Sequence, residues 1–245
     1  MVDSPSRIAL AEAIGTFTLV FAGVLAINAG TLAGDPELSS LTTVAFAHGL
    51  AIFVMVAALS AISGGHFNPA ITLGFVVSGR LPLRRAAVYW AAQLVGAVVA
   101  ALIIAGAFGR PPVAEGTPAL APNVTALAGI VLELIGTFFL VLVVLGTAVD
   151  RRAPAAVFPL AIGLTIAMNI MAFGTLTGGS VNPARAFGPA LVSGAWADHL
   201  VYWIGPLLGG AIAGLVMEHG IGVRAEAPEV RERGGPAPGE RREAA

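Results

Sequence analysis

The chain has 245 residues, 57% of them hydrophobic and 11% charged, with a mean hydropathy of +0.88 and a formal net charge of −1. A soluble domain carries about 25% charged residues, so this is the composition of an integral membrane protein, and its near-neutral balance offers no basic field to nucleic acid. There is no cysteine, which excludes a disulfide, a thiolate metal site and a cysteine nucleophile.

A bilayer core of about 30 Å needs roughly 20 apolar residues in a helix. Six segments meet this length, at 8–28, 42–62, 84–107, 126–149, 157–176 and 199–222. Residues 1–7 form a short N-terminal lead with a single Arg7, and the run that follows is too long for a signal-peptide core, so it reads as a retained span. Between Asn28 and Ser40, Asp35-Pro36-Glu37 marks a loop. Between Gly109 and Asn123, four prolines forbid continuous helix. Asp150 to Pro154 is a turn, and residues 223–245, rich in Arg, Glu, Pro and Gly, have little to bury and read as a disordered tail. Arg80, Arg84 and Arg85 fall on the same side as Arg151 and Arg152 when six spans are counted, which predicts that both termini are cytoplasmic.

Between the spans lie two related motifs. Gly64-Gly65-His66-Phe67-Asn68-Pro69-Ala70 and Gly178-Gly179-Ser180-Val181-Asn182-Pro183-Ala184 stand about half a chain length apart. Asn is a favoured N-cap and Pro belongs at the first helical position, so each motif predicts a helix start. Each helix runs ten or eleven residues to Gly79 or Gly194. That length rises about 15–16 Å, half a bilayer. Further landmarks repeat in the same order: Glu12-Ala13-Ile14-Gly15-Thr16-Phe17 with Glu133-Leu134-Ile135-Gly136-Thr137-Phe138, and Tyr89-Trp90 with Tyr202-Trp203. The chain therefore reads as one unit, 8–222, made of repeat one (8–107) and repeat two (126–222). With three spans per unit, the second repeat enters from the opposite face, an inverted repeat of the kind found in transport proteins.

The fold class predicted is an all-α membrane protein of six transmembrane helices plus two re-entrant half-helices. The two half-helix N-termini would meet near the midplane, where non-helical backbone survives only inside protein or along a watery cavity. Each N-terminus carries roughly half a positive charge, and together they repel cations, protons included. Asn68 and Asn182 cap through their oxygens and leave both amide NH2 groups to donate to a passing water, while the loop carbonyls line the path. Glu12 and Glu133, acids inside spans, have two readings: proton coupling, or acceptance of N–H bonds from the re-entrant loops.

These paired Asn-Pro-Ala half-helices, with the Glu-x-x-x-Thr repeat, resemble the aquaporin (major intrinsic protein) family from about Ile8 to Gly222. The resemblance implies a pore in each subunit of a homotetramer, embedded in the lipid bilayer, with no cofactor, no metal and no enzymatic activity. It also implies that Glu12 and Glu133 brace the loops, and His66 is expected to brace its own loop near the inner mouth. The family's four-residue constriction falls on His48, Ile170, Gly179 and Arg185. That set is similar to a group of plant tonoplast intrinsic proteins associated with ammonia as well as water, although their third-loop histidine has no counterpart between His66 and His199. Glycerol facilitators carry Asp where Ala186 stands here.

The function implied is passive conduction of water, with ammonia or another small neutral solute as an added permeant, and exclusion of protons and ions. The alternatives are a glycerol or small-polyol facilitator, a coupled secondary transporter and a junction protein with a closed pore. The plasma membrane is the expected location.

Overall fold

Why the long helices form is plain from their composition. Six of them, 20 to 29 residues long, carry windows of mean hydropathy between 1.4 and 2.6, enough to cross a bilayer. The computed structural model describes residues 4–222; the expected tail at 223–245 lies outside the described residues.

Helix α1 (Pro5–Ala33) is capped by the Ser4 side chain, which accepts from the Arg7 N–H, and ends at left-handed Gly34. It outruns the expected 8–28 at both ends. Asn28, read as the start of a loop, stays buried in the helix because its amide donates to the Val24 and Pro112 carbonyls. A short 3-10 turn (Pro36–Ser39) leads to α2 (Leu41–Ser63). The first half-helix is α3 (Pro69–Val77), followed by α4 (Leu83–Phe108). The proline-rich connection is not wholly irregular: α5 (Arg110–Glu115) fits Pro111 and Pro112 into its first turn, where no N–H is needed. Then come α6 (Ala126–Val144), α7 (Phe158–Thr177), the second half-helix α8 (Pro183–Ser193) and α9 (Val201–Leu215). Spans α6 and α9 each finish in a π-helical turn, Leu145–Val149 and Val216–Ile221. Among the described residues there is no strand.

The packing repeats with the sequence. Helix α1 meets α4 where a Cβ on Gly96 would lie 2.2 Å from the Ala13 carbonyl oxygen. In the second repeat α6 meets α9 the same way, Gly209 against the Leu134 carbonyl at 2.2 Å. Across the repeats, Gly49 of α2 and Gly163 of α7 face one another. In lipid, where tails are as apolar as leucine, such small residues let helix backbones approach closely. Each half-helix crosses over: α3 packs on α9 of the other repeat and α8 on α4. The main core therefore draws on both repeats, from Leu19 and Phe67 to Leu140 and Val181. Large apolar side chains such as Leu50, Leu127 and Leu164 point outward, as a lipid-facing surface requires.

Candidate permeation site

The re-entrant loops are built by backbone that most residues avoid. Gly64 and Gly178 end α2 and α7 in the left-handed region, at φ 90° and 84°. Gly65 and Gly179 follow at φ 68° and 55°. Phe67 and Val181 then take φ 49° and 43°, a conformation that costs a residue with a Cβ about 1–2 kcal/mol. The offset comes from two buried carboxylates. Glu12 accepts from the His66 N–H at 3.0 Å, the Phe67 N–H at 2.6 Å, the Ser63 hydroxyl at 2.6 Å and Gln93 Nε2 at 2.7 Å. Glu133 accepts from the Ser180 N–H at 2.9 Å, the Val181 N–H at 2.6 Å and the Thr177 hydroxyl at 2.7 Å. Tyr89 and Tyr202 donate to the Ser63 and Thr177 carbonyls at 2.6 and 2.8 Å. The loop donors that hydrocarbon would orphan are thus met inside the protein.

Asn68 and Asn182 sit at the tips of α3 and α8. Each oxygen caps its own helix, Asn68 Oδ1 accepting from the Ala70 N–H and Asn182 Oδ1 from the Ala184 and Arg185 N–H groups. Pro69 and Pro183 follow at the first helical positions. The amides do not stay wholly free, as capping alone suggested. Asn68 Nδ2 donates to the Val181 carbonyl at 2.8 Å, and Asn182 Nδ2 donates to the Phe67 carbonyl at 2.9 Å. Those two carbonyls belong to Phe67 and Val181, the non-glycine residues of the two re-entrant loops at positive φ. Each NH2 keeps one N–H, and two loop carbonyls assigned to the path are taken by the opposite loop.

Of the four residues expected at the constriction, Arg185 pairs with His48, Ile170 lies against Gly179, and Arg185 and Ile170 line one hollow. Arg185 is buried one turn into α8, donating Nη1 to the Gly116 carbonyl at 3.2 Å and Nη2 toward His48 Nε2 at 3.3 Å. His48 Nδ1 lies 2.8 Å from the Val44 carbonyl, which can only accept, so the ring proton sits on Nδ1 and Nε2 offers its lone pair to Arg185. Ile170 leaves Gly179 no room for a side chain: a Cβ there would lie 3.2 Å from Ile170 Cα, tighter than an ordinary contact. Arg185 and Ile170 open onto a hollow of about 380 Å3, walled by Thr117, Pro118 and Gly178 and rimmed by Glu115.

His66 lies on the other side of the junction, buried between the Phe75 and Tyr89 rings, with Nδ1 3.1 Å from Thr72 Oγ1. The Thr72 hydroxyl donates to the Asn68 carbonyl, so His66 Nδ1 carries the hydrogen toward it. On the same side, Arg80 pairs with Glu218 and Arg152 with Asp150. The hydrogen bond to Asp150 holds the Arg152 guanidinium above its usual pKa. At the far end, partial burial lowers the pKa of His199, whose Nε2 accepts from Trp203 Nε1 at 3.0 Å.

Several site residues escaped the sequence reading. A Cβ on Gly23 would lie 2.1 Å from His48 Nε2, so that glycine makes room for the ring, and no local signal marks it. Gly116 supplies a carbonyl to Arg185 from a loop whose path is set only by tertiary packing. Ser63 and Thr177 were legible, being a hydroxyl repeated just before each Gly-Gly pair. Gln93 was not, because Pro206 occupies the matching place in the second repeat. Among the described residues no group of three or more His, Asp or Glu is placed to hold a metal.

Six spans and two half-helices joined tip to tip within them define an all-helical membrane protein of inverted-repeat, aquaporin-like fold. The family described as Major intrinsic protein matches residues 2–217. Aquaporin TIP4-4 of Zea mays is 50% identical over 219 residues, 86% of this chain and 85% of the relative. Probable aquaporin TIP3-2 of Arabidopsis thaliana is 44% identical over 224 residues, 87% and 83% of the two chains. The solved aquaglyceroporin from Plasmodium falciparum is similar with a TM-score of 0.77 at 25% identity, over 89% of this chain and 97% of that one. The chain belongs to the major intrinsic protein family. It is a membrane channel and not an enzyme.

Proposed function

We propose that the protein conducts water passively in single file between Asn68 and Asn182 and through a selectivity filter of His48, Ile170, Gly179 and Arg185, excluding protons and ions. The observation that carries this reading is the reciprocal pair of Asn-to-carbonyl bonds, which fixes both half-helix N-termini and one spare N–H from each asparagine at one point. A water there accepts through its oxygen and turns its hydrogens away, while the two helix dipoles oppose any cation. Arg185 adds a fixed positive charge next to the constriction.

Ammonia is the proposed second permeant, a reading supported by the apolar Ile170, which lines the same hollow as Arg185 and lies against Gly179. Against a polyol stands Ala186, at the position where glycerol facilitators carry Asp. Against coupled transport stands the burial of Glu12 and Glu133, whose oxygens are committed to loop donors. We assign a homotetramer and cytoplasmic termini on the family resemblance and the arginine bias. The plasma-membrane assignment draws no support from the relatives, which are TIP aquaporins, named for the tonoplast.

The test is stopped-flow swelling of proteoliposomes for water, internal alkalinisation for ammonia and glycerol uptake in the same vesicles. Water flux well above that of empty vesicles is expected, with ammonia faster than glycerol. Flux equal to that of empty vesicles from well-folded protein overturns the reading.

A further inference from the structure

Two apolar hollows meet on the outer surface between the N-terminal halves of α1 and α4. The larger, about 720 Å3, runs along Ala9, Leu10, Ala13, Ala87, Ala91 and Val95. The smaller shares Val88 with it and is lined by Pro5, Ile8, Arg85 and Tyr89. The trough has a sequence cause. The helices touch at Ala13 and Gly96, and on the N-terminal side of that contact alanines stand where a leucine would fill the gap. From Ala87 to Val95 the helix rises about 12 Å, a length that takes a large part of an extended acyl chain.

The charge at its end is one-sided. Arg84 is exposed and Arg85 half-buried where α4 begins. Neither guanidinium makes an ion pair or hydrogen bond among the described residues, whereas the described acids on this side, Asp150 and Glu218, are held by Arg152 and Arg80. A hydrophobic trough ending in two arginines at the start of a span matches an amphiphile with an apolar tail and an anionic head.

We propose that this surface is a binding site for an anionic glycerophospholipid, one acyl chain lying in the alanine trough and the phosphodiester meeting Arg84 and Arg85. A zwitterionic lipid of the same chains fills the trough equally but brings a quaternary ammonium to the arginines, so the site selects by headgroup charge.

The experiment is a titration of delipidated, detergent-solubilised protein with dioleoyl phosphatidylglycerol or dioleoyl phosphatidylcholine, read by native mass spectrometry. Phosphatidylglycerol is expected to bind more tightly. The double variant Arg84→Gln/Arg85→Gln, which removes both positive charges facing the phosphodiester, is expected to weaken it roughly tenfold or more. Arg84→Lys/Arg85→Lys keeps most of the binding, and Ala91→Trp, which fills the trough, reduces retention of both lipids. All three variants conduct water normally, which shows that they are folded. Equal binding of the two lipids overturns the proposal, as does parent-like phosphatidylglycerol binding by the glutamine variant. If Ala91→Trp breaks up an oligomer while lipid binding holds, a second copy covers the trough and the proposal fails.

Discussion

Asn68 and Asn182 are tied to each other's loops: each amide donates to the carbonyl just before the other asparagine, at 2.8 and 2.9 Å. The two repeats therefore hold one another at the point where their half-helices end. Asn182→Asp separates the two uses of the side chain. An aspartate still caps α8, but it sets an oxygen against the Phe67 carbonyl. The loss leaves the buried Phe67 carbonyl without its donor, about 1–3 kcal/mol. A lower melting temperature and a reduced water flux are expected in the same preparation, with Asn182→Ser, a cap too short to reach Phe67, falling between.

Arg185→Ala removes the donor to both the Gly116 carbonyl and His48 Nε2. The constriction widens and loses its fixed charge. The glycerol-to-water permeability ratio is expected to rise several-fold in vesicle swelling, and proton leak to increase under an imposed gradient. An unchanged ratio would place the filter elsewhere. Ile170→His narrows the same ring and is expected to lower ammonia flux more than water flux.

Gly23→Ala tests the same ring from behind. Its methyl would sit 2.1 Å from His48 Nε2, which forces the imidazole toward the path and away from Arg185. Water flux is expected to fall several-fold, with a modest drop in melting temperature as the buried Arg185–His48 hydrogen bond is lost. Gly188→Ala is the contrast. Its Cβ would lie 2.5 Å from the Ala97 backbone, which cannot yield, so stability falls by about 1–3 kcal/mol.

Glu133→Gln leaves one acceptor where two N–H groups and a hydroxyl now converge. One buried loop donor then faces an NH2, at a cost of about 1–3 kcal/mol. Reduced thermal stability is expected. Flux is expected to be indifferent to proton or sodium gradients in the parent and the variant alike; accumulation of solute against its gradient would revive coupled transport.

The pH response on the His199 side follows from burial. The folded-state pKa of His199 lies below its ordinary value of 6.5. Protonation therefore favours the unfolded chain: the contribution to stability is complete above 6.5 and drains away as the pH falls through the lowered folded value. Protonation also removes the lone pair that accepts from Trp203. A melting temperature that declines from pH 7 to 5, with the decline flattened in His199→Phe, is the expected result.

Much of this architecture is written locally. Six apolar runs, two Asn-Pro-Ala helix starts and the paired Glu12 and Glu133 landmarks define an inverted repeat, because a bilayer imposes span length and forbids unpaired backbone within it. The boundaries were less legible. Asn28 reads as a helix stop until the Pro112 carbonyl is there to receive its amide, and Pro111 and Pro112 read as breakers although a first turn accommodates both.

The sequence by itself determined the spans and the two half-helices, since each follows from the period, length and capping chemistry of a continuous segment; the candidates for the constriction rest on the family resemblance of its motifs. Only the tertiary structure decided that each asparagine bonds the opposite loop, that Gly23 seats His48, that Gly116 receives Arg185 and that Gln93 joins Glu12. Those contacts join residues from different elements, most of them far apart in the chain. What brings most of them together is the need to pair buried polar groups and to pack closely inside the membrane, a condition of the whole fold that no single segment records.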